Sequence, residues 1–96
     1  MPDALLLHRE MSARPDEFLR ELRLAFPSGI AVEGDVARVT SGDVSLRAEW
    51  RVGAPRQIAN LRLPTLHVSL HFAGGTADAR DALLARMDRA MHRGGG

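Results

Sequence analysis

Cysteine, lysine and tyrosine are missing from this 96-residue sequence, which holds one tryptophan and three phenylalanines. Without cysteine there is no disulfide framework, no thiolate nucleophile and no cysteine-ligated zinc or iron–sulfur centre. The polar chemistry left is that of four histidines, twelve carboxylates, thirteen basic residues and the hydroxyls. Charge of one sign is scarce as well. A net charge of +1 is too small to draw the chain toward nucleic acid or an anionic membrane.

No apolar run approaches the roughly 20 residues that span a bilayer, so no membrane association is expected. The first residues place Asp3 before Leu5, Leu6 and Leu7 and Arg9 after them, the reverse of a secretory signal's charge order. A cytoplasmic protein is the expectation. Every basic residue is arginine and alanine occurs fourteen times, a bias that fits the codon usage of a GC-rich bacterial genome.

Leu, Ile, Val and Phe supply 24 residues, enough apolar material for a single folded domain over 1–96. Ala4 to Glu10 reads as a strand. Pro15 opens a helix with Asp16 and Glu17 in its first turn, where they complement the dipole. Phe18, Leu19, Leu22, Ala25 and Phe26 form one stripe along it, and Leu24 lies off that stripe. Ile30–Glu33 and Val36–Thr40 are β-prone and join through Gly34-Asp35, and Ser41-Gly42-Asp43 is a second turn. From Asp43 to Val52, Val44, Leu46, Ala48, Trp50 and Val52 alternate with polar residues, which describes a strand with one buried face.

Gln57 to Phe72 is expected as one last extended stretch, interrupted at Pro64 in the manner of an edge or a bulge. Leu66, Val68, Leu70 and Phe72 share one side of it, and His67, Ser69 and His71 the other. Thr76 caps a final helix carrying Ala79, Leu83, Leu84, Met87, Ala90 and Met91 to about His92, with residues 94–96 as a flexible glycine tail. The fold class is therefore α+β: an antiparallel sheet of about five strands, two helices on one face, in the order β-α-β-β-β-β-α. This order and its apolar phasing resemble the helix-grip, or TATA-binding-protein-like, group, in which an antiparallel sheet wraps a long C-terminal helix. The resemblance implies a sheet–helix space that in larger members holds apolar ligands.

The candidate sites follow from these faces. Leu46, Trp50, Leu70, Leu83 and Met87 would wall any ligand cavity between sheet and helix. Arg47, Arg51, His67, Ser69 and His71 would form a polar patch on the open face. His67 and His71 lie about 13 Å apart on a strand at 3.3 Å per residue, too far to share a metal bound at about 2 Å. Ser69 has Asp43 and Glu49 as candidate acid partners but no Gly-x-Ser-x-Gly elbow. No catalytic residue, metal site or cofactor is assigned. The arginines come without exposed aromatic rings, so nucleic acid is a poor partner for that face.

A non-catalytic binding or protein-interaction module is the leading expectation. The alternatives are a carrier of a small apolar or amphipathic ligand, and a nucleic-acid or phosphate binder using the arginine-bearing face. Self-association is expected too. Leu5, Leu6 and Leu7 cannot all face one core, and a two-fold dimer by strand edges or sheet faces would cover the surplus. A two-fold axis through Ser69 would set His67 against His71 of a second copy.

Overall fold

The structure, a computed structural model, describes the backbone of residues 5–95 and the side-chain surroundings of residues 6–91. Nine elements follow the chain: β1 (Leu5–Met11), α1 (Pro15–Ala25), β2 (Ile30–Glu33), β3 (Val36–Ser41), β4 (Val44–Val52), β5 (Arg56–Ile58), β6 (Leu61–Leu63), β7 (Leu66–Ala73) and α2 (Ala77–Gly95). Five of the strands form one antiparallel sheet in the order β1-β7-β4-β3-β2. The expected class and element order hold, with one added hairpin.

Local chemistry sets the element boundaries. Pro15 has no N–H to lose at the first helical position, and the Arg14 backbone N–H donates to Glu17 Oε1 at 2.9 Å. Thr76 Oγ1 accepts from the Ala79 N–H at 3.1 Å and so caps α2. Gly34 and Gly42 take the left-handed conformation in the two-residue turns between β2, β3 and β4. Gly74 is the more constrained case. It has φ +77° and its Cα packs so closely on the Asp43 carbonyl that an added Cβ would clash with backbone.

One sheet face and both helices enclose the core. Phe18, Leu22, Leu46, Trp50, Leu70, Phe72, Leu83 and Met87 are all buried, as the apolar phasing requires. Phe18 on α1 meets Trp50 on β4 edge to face with centroids 5.7 Å apart. Consecutive leucines divide as a two-residue period dictates: Leu7 packs on the core and Leu6 is exposed, while the Leu5 side chain and all of Ala4 lie outside the described residues. Leu24 is exposed on α1, as its position off the stripe predicts.

Two expectations need correction. Gln57 to Phe72 is not one strand. Ala59 adopts φ +52° beside Asn60, which folds β5 onto β6 as a separate two-stranded sheet. Pro64 falls between β6 and β7, and the Thr65 carbonyl accepts the Gly53 N–H at 2.9 Å, so the hairpin leaves and re-enters the sheet at one point. β7 then runs without proline between β1 and β4, so it is an interior strand and not an edge. The edges are β1 and β2. A second copy therefore has no free edge of β7 to pair with, and the two-fold arrangement about Ser69 by strand pairing is not available. The other correction is that α2 continues past His92 to Gly95; Gly96 lies outside the described residues.

Candidate functional site

The open face of the sheet gathers the polar residues. Alternation along β4 and β7 sends Arg47, Glu49 and Arg51 to the same side as His71, Ser69 and His67, and the register sets them opposite one another as Arg47–His71, Glu49–Ser69 and Arg51–His67. All five residues expected in the polar patch therefore sit together. Glu49 Oε1 is 3.1 Å from Arg47 and 3.2 Å from His71 Nε2, one carboxylate between a guanidinium and an imidazole. Arg38 on β3 lies directly opposite Arg47, and its ion pair with Glu33 is a loose 3.9 Å between exposed groups.

His8 is the member that the sequence reading missed. It lies on β1 opposite Ser69, and its Nδ1 is 3.0 Å from Ser69 Oγ. Sixty-one residues separate the two, so only the pairing of the first strand with the last brings them together. The available signal was the alternation of Leu6, His8 and Glu10 along β1. His8, Glu10, Glu49, Arg51, His67 and Ser69 line a shallow trough on this face.

In the trough a hydroxyl and an imidazole are in contact, with Glu49 opposite the same serine. β7 is laddered on both sides, which engages its backbone amides in the sheet. Among the described residues no three His, Asp or Glu side chains converge closely enough to hold a metal ion. Comparison with protein-family models and with curated proteins returns no match.

The apolar face has a different layout from the expected cavity. Leu46, Trp50, Leu70, Leu83 and Met87 are packed into the core. A hollow of about 720 Å³, open to solvent on one side, lies instead at the β1 end of the groove between α1 and α2. Leu70 and Met87 reach it, and Leu46, Trp50 and Leu83 do not line it. Its other apolar walls are Met11, Ala13, Phe18, Val68 and Met91. Arg9 occupies a core-facing position of β1 and donates to both carboxylate oxygens of Asp88 on α2, at 2.7 and 3.2 Å, closing one wall with a bidentate pair. Met11 and Met91 sat outside the expected set because the hollow lies between the end of β1 and both helices, a position that apolar phasing alone does not mark.

The hairpin β5–β6 is the third feature, here called the arm. Every residue from Arg56 to Arg62 is exposed. Ile58 and Leu61 pair across it at 49% and 63% exposure, and Val52 at the end of β4 is exposed nearby in sequence. A side-chain tie to the main sheet runs from Arg56 to Glu10 Oε1 at 3.2 Å, between exposed groups.

Proposed function

We propose that this protein is a non-catalytic interaction module that binds another protein through the β5–β6 arm. The observation that carries the reading is the arm's one large apolar pair, Ile58 with Leu61, held in the solvent by a turn that needs a left-handed Ala59. An isolated hairpin of three pairs is marginal in water. Paired apolar side chains at the tip of such an element are what a partner surface covers. The arginine and alanine bias supports a bacterial source for the protein. The element order supports placing the fold in the helix-grip group.

The test is the double substitution Ile58→Ser with Leu61→Ser. If the arm serves contact, unfolding of the dilute protein changes by less than about 0.5 kcal/mol, as for other surface positions. A loss of more than about 2 kcal/mol would show the pair to be structural and overturn the reading.

A second reading is favoured by one feature, the methionine-lined hollow. Flexible thioether side chains accommodate varied apolar groups, and its volume is that of a small-molecule site. Its ligand would be small and apolar or amphipathic, with its apolar part toward Met11 and Met91. Native mass spectrometry of protein isolated from its host distinguishes the two, since a carrier retains a small added mass.

A further inference from the structure

We infer that the open face of the sheet carries a binding site for the terminal phosphate of a small phosphorylated molecule, built from His8, Ser69, His67 and Arg51. Three neighbouring strands set these residues in two adjacent rows, His8–Ser69–Glu49 and Glu10–His67–Arg51, taken from β1 through β7 to β4. The four donors hold the middle of both rows and one pair of opposite corners, and the two carboxylates hold the other corners. With strands about 4.8 Å apart and the rows about 6.6 Å apart, all four side chains can converge on one phosphate group.

These donors are available. Glu49 is engaged by Arg47 and His71 at 3.1 and 3.2 Å, and Glu10 by Arg56 at 3.2 Å. Among the described residues Arg51 has no ion-pair partner and His67 no hydrogen-bond partner. His8 and Arg51 are exposed, His67 and Ser69 are half-buried, and all four line the trough. The contact between His8 Nδ1 and Ser69 Oγ at 3.0 Å adds a donor in either charge state. When Nδ1 accepts the hydroxyl proton, Nε2–H on the far side of the ring is free to donate. When the ring is protonated, Nδ1–H donates to Oγ and the hydroxyl hydrogen is released to a ligand as well.

The layout selects among phosphates. A terminal phosphate offers three oxygens and up to two negative charges, which four donors including a guanidinium can match. A diester has one charge and two free oxygens. A nucleic-acid strand laid through the trough would bring its next phosphates against Glu10 or Glu49, and the one tryptophan and three phenylalanines are buried, so no such ring is left to stack its bases. The trough encloses about 670 Å³, open to solvent, which leaves room for the rest of a small molecule.

The test is a titration of the full chain with inorganic phosphate, phenyl phosphate, dimethyl phosphate and a short oligothymidylate, followed by the NMR signals of the histidine rings, with His8→Gln and His67→Gln assigning two of them. The rings of His8 and His67 should shift saturably with phosphate and phenyl phosphate, with Kd below about 5 mM. Dimethyl phosphate should bind at least about tenfold more weakly. Tighter binding of phenyl phosphate than of inorganic phosphate identifies an organic monoester as the ligand, and equal binding identifies free phosphate, either of which fits the site. Arg51→Gln should weaken phosphate by at least about tenfold and Ser69→Ala by about three- to fivefold with no change of charge, whereas Arg38→Gln, two rows away on β3, should change it by less than about twofold. Circular dichroism verifies that each variant is folded.

No saturable shift up to about 50 mM phosphate overturns the inference. So do equal losses for Arg51→Gln and Arg38→Gln, which would mark general surface charge, and tighter binding of oligothymidylate than of phosphate, which would mark a nucleic-acid face. The site is separate from the arm: Ile58→Ser with Leu61→Ser should leave phosphate affinity within about twofold of the parent protein.

Discussion

Leu46→Ala probes the assigned core at its centre. Leu46 is 1% exposed on β4, in register with Val39 on β3 and Phe72 on β7, which are themselves buried. The substitution removes three carbon atoms, worth about 2.4 kcal/mol at about 0.8 kcal/mol per buried methylene. Neighbours on both flanks belong to hydrogen-bonded strands and cannot close fully on the space, so a cavity term of about 1 kcal/mol adds to this. The expected loss is about 3–4 kcal/mol. A domain of this length has about 5–14 kcal/mol in total, so the change is large but leaves a folded protein to measure.

Urea unfolding followed by Trp50 fluorescence is the assay, since the single tryptophan is buried against Phe18 and reports the same core. The midpoint should fall with the slope unchanged, and the melting temperature should drop by roughly 12–30 °C. Leu24→Ala is the internal control. It removes the same atoms from a side chain 57% exposed on α1 and should change stability by less than about 0.5 kcal/mol. A Leu46→Ala loss below about 1 kcal/mol, or equal losses for both, would refute the burial argument.

Other outcomes follow from single contacts. Gly74→Ala should cost more than about 2 kcal/mol, because the added carbon meets the Asp43 carbonyl, whereas Gly34→Ala, with open space around it, should cost about 1 kcal/mol from its left-handed φ alone; equal losses in urea titrations would contradict this. Thr76→Ala should remove about 1 kcal/mol through loss of the α2 cap, and faster amide exchange at Ala79 would locate the effect there. Asp88→Asn should lose about 1 kcal/mol, the pair with Arg9 being about one-third exposed, and the loss should shrink in high salt. His67→Ala and His71→Ala should each stay within about 1 kcal/mol of the parent protein in thermal melts; a drop of several kcal/mol would mean that either ring is buried in solution.

Much of the architecture was legible in the sequence because it depends on short-range periodicity. The two-residue alternation from Val44 to Val52 and from Leu66 to Phe72 already separates the core face from the open face, and Pro15 and Thr76 mark the helix starts. The polar patch of Arg47, Arg51, His67, Ser69 and His71 was legible for the same reason, since membership of a face follows from position in the strand alone.

What only the tertiary structure decided is which strands are neighbours and where packing stops. That β1 lies beside β7 is a long-range pairing with no local trace, and it places His8 on Ser69 and makes β7 an interior strand. The turn at Ala59 and Asn60 lacks the glycine that marks such hairpins, so the arm was read as part of a longer strand. The hollow was hidden for a related reason. Apolar phasing shows which side chains face inward, and the angle and spacing of α1 over α2 decide whether those side chains meet or leave room between them.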